Sequence, residues 1–172
     1  GLSAAANYNV TITDAWGCTK VEWTTIPALS NPLVSILSYS HVTCYGLCNG
    51  SATANAAGGS PPYSYIWNTL PIQTTAIATG LCAGVHSLTV KDNQGCINST
   101  SASATIQQPS PLTASFSVSP ATCGNTDGSI SSNTSGGIAP YRYSWSNGKT
   151  TAIVSALSSG SYSVTITDIN GC

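Results

Sequence analysis

The residues best placed to do chemistry are seven cysteines: Cys18, Cys44, Cys48, Cys82, Cys96, Cys123 and Cys172. Thiolates can hold zinc, and oxidised pairs cross-link a chain. His41, Cys44, Cys48 and Cys82 can be drawn as a zinc set, but the last third of the chain keeps only one counterpart, Cys123. Seven cysteines without a single methionine fit an oxidising, extracellular setting, so cross-linking is the preferred reading. No Ser/His/acid set is credible with two histidines, His41 and His86, that do not recur along the chain. Asp14, Asp92 and Asp168 do recur, but calcium takes six to eight oxygens and one carboxylate per turn is a poor site. A turn-capping role is expected for each. The aromatic triplets Tyr63/Tyr65/Trp67 and Tyr141/Tyr143/Trp145 allow a carbohydrate platform. The alternative, a buried Trp with Tyr hydroxyls near the surface, is preferred.

One phrase positions most of these groups. Tyr8 to Cys18 returns as His86 to Cys96 and as Tyr162 to Cys172, with Cys-to-Cys spacings of 78 and 76 residues. A fixed period of this length marks tandem repeats. In the last copy Tyr162, Val164 and Ile166 alternate with Ser163, Thr165 and Thr167, the period of a strand with one apolar face. Asp168-Ile169-Asn170-Gly171 then supplies turn chemistry. His86 stands where Tyr8 and Tyr162 stand, which makes it a core or edge ring rather than a ligand.

The repeat also assigns cysteines. The last repeat holds only Cys123 and Cys172, which are expected to pair. Cys44 aligns with Cys123 and Cys96 with Cys172, giving Cys44–Cys96. Cys48 and Cys82 are extra and should pair with each other. Cys18 is expected to bond a cysteine outside residues 1–172 or in a neighbouring subunit. A disulfide closing a loop of about 50 residues is worth roughly 4 kcal/mol in the chain-entropy model, which matters where a small core is marginal.

Around the phrase lie short strands. Lys20 to Ile26, Leu33 to Leu37, Ser51 to Ala57, Tyr63 to Trp67, Thr74 to Ala78, Ile97 to Ile106 and Thr113 to Val118 read as strands. Ser146-Asn147-Gly148-Lys149 reads as a hairpin. Pro27 to Pro32 and Gln107 to Leu112 read as stiff linkers. The expectation is an all-β chain of tandem, disulfide-stapled antiparallel β-sandwich modules of about 77 residues. Residues 1–27 are the closing strands of a preceding module, 28–108 a complete module and 109–172 a module lacking its last strand. Thr19, Lys20, Val21, Glu22, Trp23, Thr24, Thr25 and Ile26 are a candidate strand for exchange between subunits, completing the last module of the next molecule. A longer chain from which these residues are one stretch is the preferred alternative.

Composition bounds partners. Only 5% of residues are charged, against about 25% in an ordinary soluble domain, and the net charge is −1. Such a surface needs cover, from glycans or from an assembly. Sequons occur at Asn9, Asn49, Asn98 and Asn133. Lys20, Lys91, Arg142 and Lys149 make no phosphate-neutralising stripe, so nucleic acid is excluded. No apolar run reaches the roughly 18 residues of a membrane span. The expected partners are copies of the chain or adjacent repeats, with surface polysaccharide as an alternative. No cofactor is expected beyond covalent glycans.

The pattern Cys123, Asp127-Gly128-Ser129, Gly136-Gly137, Pro140-Tyr141, Tyr143, Trp145, Gly148, Leu157, Gly160, Tyr162 and Asp168 to Cys172 resembles the SprB repeat. The earlier copy matches at Cys44, Asn49-Gly50-Ser51, Gly58-Gly59, Pro62-Tyr63, Tyr65, Trp67, Leu81, Gly84 and Asp92 to Cys96. It departs at His86 and at Asn68-Thr69. The resemblance implies an immunoglobulin-like sandwich, secretion to the surface of gliding bacteria, and a role in adhesion, motility or an extracellular fibre. It implies no catalytic residue. A carbohydrate-binding adhesin module and a non-catalytic module of a secreted enzyme are the competing readings.

Overall fold

The computed structural model describes residue 3, residues 6–98 and residues 100–172. Residues 1, 2, 4 and 5 of the expected first segment, and Ser99 within the Asn98 sequon, lie outside the described residues. The strands are β1 (Asn7–Thr13), β2 (Thr19–Thr25), β3 (Leu33–Ser40), β4 (Gly50–Ala57), β5 (Ser64–Trp67), β6 (Ile77–Leu81) and β7 (Gly84–Lys91). They continue as β8 (Ala102–Ile106), β9 (Thr113–Ser119), β10 (Gly128–Ser135), β11 (Arg142–Trp145), β12 (Ile153–Leu157) and β13 (Val164–Thr167). Every described element is a strand, as period-two alternation and turn residues dictate.

Two strand orders recur. Sheet β3-β4-β6 is repeated as β9-β10-β12, and β5-β7-β8 as β11-β13. The repetition extends to register. Ala52 faces Ala78 and Ile130 faces Val154, and each pairing has a bulge one step before, at Gly50/Ser51 and at Gly128/Ser129. The sixth strand lies at Ile77–Leu81, three residues beyond its expected place. The hairpin signal at Ser146–Lys149 makes a turn, with Gly148 N–H donating to the Trp145 carbonyl at 2.9 Å. It does not make a hairpin. Strand β11 pairs with β13 and β12 with β10, so the chain crosses between sheets there. Turn chemistry specifies a reversal but not the partner of the strand that follows.

Two compact units form. One comprises Gly1–Ile36, Ala54–Ala76 and Ser87–Ala102, the other Leu37–Thr53, Ile77–His86 and Ser103–Cys172. The first buries Trp67, Leu88 and Val90 and carries the β1–β2 hairpin, whose strands are in unbroken antiparallel register from Asn7↔Thr25 to Thr13↔Thr19. In the second, the two sheets of the last repeat pack face to face around Trp145, Val154 and Leu157, with Ile130, Tyr143, Tyr162 and Val164 at the margin. Ala52, Ala78, Leu81, Ala104 and Ile106 are also buried in that unit. Ala52 and Ala78 hold in the earlier repeat the register positions that Ile130 and Val154 hold in the later one.

The cysteine pairing needs correction. Cys48 is bonded to Cys82, but Cys44 is bonded to Cys172, across 128 residues of sequence. The expected Cys44–Cys96 and Cys123–Cys172 bonds are not formed, and Cys18, Cys96 and Cys123 are free thiols. The physical reason is local. The turn carrying Cys172 lies on the Thr43 carbonyl, which accepts from Asn170 Nδ2 at 3.1 Å. Aligning repeats gives the type of the Cys44 partner. It cannot say which copy of that type is nearest.

Candidate functional site

Three turns present a cysteine in the same way. Asp14, Asp92 and Asp168 each use Oδ1 to accept two backbone N–H groups, two and four residues on, at 2.8–3.0 Å. The second of these donors is the cysteine itself in every case. The aspartate N–H in turn donates to the cysteine carbonyl, at 3.0, 3.0 and 3.2 Å. The turn-capping role expected for these carboxylates is the one they perform.

Two of the three carboxylates do more. Asp92 Oδ2 accepts the Ser60 N–H and Asp168 Oδ2 the Ile138 N–H, each at 2.9 Å, which fixes the Gly-Gly loop before the aromatic strand. Tyr63 and Tyr141 clasp the same loop, donating to the carbonyls of Gly58 and Gly136 at 2.6 Å. Both aspartates are buried, and their carboxyls are held below the ordinary value of 3.8. The Ser60 N–H is the main cause at Asp92 and the Cys172 N–H at Asp168, with desolvation opposing. Asp127 is lowered likewise, chiefly by the Thr122 hydroxyl.

Five of the six triplet rings, all but Tyr65, make hydrogen bonds within the fold. Trp67 and Trp145 are buried, and their indole N–H groups donate to the carbonyls of Thr75 and Thr151 at 3.0 and 2.9 Å. Tyr143 donates to Thr134 Oγ1 at 3.0 Å. His86 takes over the Tyr role: its Nε2 contacts the Cys82 carbonyl at 2.9 Å, as the Tyr162 hydroxyl contacts the Ser158 carbonyl at 3.1 Å. His41 Nδ1 accepts the Gln107 N–H at 3.0 Å. Cys44, Cys48 and Cys82 are in disulfides, and a disulfide sulfur is no thiolate ligand. Among the described residues no group of three His, Cys, Asp or Glu could hold a metal ion.

What these clasps leave unused is apolar surface. Val10, Ile12, Trp16, Val21 and Trp23 of the β1–β2 hairpin are exposed, Trp16 to 90%. In the last repeat, Phe116, Val118, Ile130, Trp145, Tyr162 and Val164 line an open groove of about 430 Å³. In the earlier repeat β7 has β8 at its far edge, with Ala102, Ala104 and Ile106 buried. Among the described residues no strand lies at the far edge of β13. In the sequence, only the open edge expected of the last module foreshadows this groove. The arrangement can take up a β-strand through backbone hydrogen bonds and an apolar face.

Of the sequon residues, two are committed internally. Asn49 bonds the Thr43 N–H and hydroxyl, and Asn98 bonds the Val90 N–H and the Thr100 carbonyl. Asn9 on β1 and Asn133 on β10 are exposed. The exchange-candidate strand, Thr19 to Ile26, is β2 through Thr25 and is paired with β1 of its own chain.

The repeated Cys-loop, Gly-Gly and aromatic pattern lies where the chain is similar to a known family. Two stretches of the chain match the SprB repeat. They are residues 38–71 and 115–150. These SprB stretches hold the Cys44 and Cys123 turns, the Gly-Gly loops and the two buried tryptophans, Trp67 and Trp145, and end before the strand-turn phrases at Cys96 and Cys172. No curated protein matches the chain. No described helix is long and apolar enough to cross a membrane.

Proposed function

We propose that the chain is a non-enzymatic structural stretch of an extracellular surface fibre or adhesin stalk, built by packing SprB-type modules on one another. The observation that carries this reading is the commitment of the recurring polar groups to holding the fold. The three turn aspartates, both clasping tyrosines and both core tryptophan N–H groups end on backbone of their own chain. What the repeats offer outward is strand edge and apolar surface, at the β1–β2 hairpin and at the groove beside β13. These are means of joining modules end to end, and modules that contact mainly their neighbours make length cheaply.

The partner in this reading is an adjacent repeat or a second copy. Strand β2 retains one edge free of β1 among the described residues, and β13 retains one free of β11. Two disulfides and the SprB match support an extracellular location. Glycans at exposed Asn9 and Asn133 would offset a surface with 5% charge.

Protease treatment of intact source cells tests the reading. Peptides from residues 1–172 should be released into the medium before any cytoplasmic marker. Their confinement to lysed material would overturn it.

A further inference from the structure

The Cys44–Cys172 bond joins two different repeats, and both halves of it recur unbonded. The Cys172 half is the Asp-capped turn. It is rebuilt at Cys96, where Asp92 Oδ1 accepts the N–H groups of Gln94 and Cys96 as Asp168 Oδ1 accepts those of Asn170 and Cys172. The Cys44 half is the turn in which Thr43 N–H donates to Asn49 Oδ1 at 3.0 Å and Thr43 Oγ1 accepts from Asn49 Nδ2 at 2.7 Å. It is rebuilt at Cys123, where the Thr122 N–H and hydroxyl donate to Asp127 at 2.7 and 2.8 Å.

A second feature selects among the turns. Asn170 docks its turn on the Thr43 carbonyl through a side-chain amide. The equivalent residue beside Cys96 is Gln94, another amide, whereas beside Cys18 it is Trp16. Cys96 therefore keeps the docking group as well as the thiol, and Cys18 does not keep the amide.

We infer that Cys96 and Cys123 are open ends of a disulfide ladder that links each repeat to the next, Cys96 bonding a Cys44-type cysteine and Cys123 a cysteine of an Asp-capped turn. The partners belong to further repeats of the same polypeptide or to a second copy of this chain. Each rung forms when two thiols give up two protons and two electrons to a disulfide oxidant, which leaves as the dithiol. The ladder rests on the proposed packing of neighbouring modules but not on their surface location.

Peptide mapping of the native protein, with free thiols blocked before digestion and no reductant, tests this. The expected result is a Cys44–Cys172 peptide, loss of thiol labelling at Cys96 and Cys123, and each of these two bonded to the complementary turn type. If the partners lie in one polypeptide, its size on a denaturing gel is the same before and after reduction. If they lie in a second copy, covalent multimers collapse on reduction. Recovery of Cys44–Cys96 and Cys123–Cys172 peptides would overturn the ladder, as would full labelling of Cys96 and Cys123 without reduction. So would bonds between two cysteines of the same type. A ladder that fails on a chain released by protease from intact cells leaves the surface reading standing. A ladder found on a chain released only by lysis does the reverse.

Discussion

Asp168 Oδ2 accepts the Ile138 N–H at 2.9 Å and so ties the turn before Cys172 to the Gly136-Gly137 loop thirty residues earlier. The same carboxylate sits 2.9 Å from where a Cβ on Gly137 would lie, and Gly137 has φ +58. The glycine is required twice, by its backbone conformation and by the closeness of Asp168.

Gly137→Ala is therefore expected to destabilise by about 1–3 kcal/mol, the usual scale for a side chain forced into such a conformation. Thermal unfolding under non-reducing conditions reads this as a lowered Tm. Gly148→Ala is the control for conformation alone, since φ is +79 there and no atom lies within 4 Å. It should cost less.

Acid should weaken the fold. The carboxyls of Asp92, Asp127 and Asp168 are held below 3.8 in the folded chain, mainly by N–H and hydroxyl donors. A lowered folded value means stability fully present above the unfolded value and lost as pH falls through the folded one. Denaturant midpoints should be level above about pH 5 and fall progressively below about pH 4. Asp168→Asn should be less stable at neutral pH and should flatten that fall.

Much of this was legible in the sequence. The alternation in Tyr162 to Thr167 gave a strand, and the threefold Asp-to-Cys phrase gave the capped turn, because both are local patterns. The buried Trp67 and Trp145 followed from the likeness to immunoglobulin-like domains, which bury such a ring. The partner of Cys44 did not follow, because Cys96 and Cys172 are equivalent in sequence and only packing at Thr43 separates them. The crossing after Trp145 was hidden for a similar reason. Asn147-Gly148 marks a turn whether or not its flanking strands pair.

Ala156 has φ 58, where its counterpart in the earlier repeat is Gly80 with φ 64. Ala156→Gly should stabilise by a net amount on the order of 0.5 kcal/mol. The relief of about 1–2 kcal/mol for the left-handed conformation exceeds the backbone-entropy cost of about 0.5–1 kcal/mol. Equilibrium denaturation of the two chains side by side checks the sign.

Two tryptophans separate core from outer surface. Trp145→Ala should cost about 3–5 kcal/mol, since it removes a buried ring and leaves the Thr151 carbonyl without its indole donor. Trp16→Ala, at a ring 90% exposed, should shift stability by no more than about 0.5 kcal/mol. If Trp16 serves packing between modules, its loss should instead shorten or dissociate assemblies seen by light scattering.

Glycan occupancy should follow side-chain commitment. Asn49 and Asn98 are expected unmodified, because their amide nitrogens are already engaged with Thr43 and with the Thr100 carbonyl. Asn9 and Asn133 are expected to carry sugar in the native protein. Intact-peptide mass spectrometry reads all four.

Immunogold labelling of unpermeabilised source cells with an antibody raised against residues 1–172 tests the structural reading most directly. Gold is expected along surface fibres or stalks without permeabilisation, with label persisting on fibres shed from the cells. Label that appears only inside opened cells, or never on an extended surface structure, would contradict it.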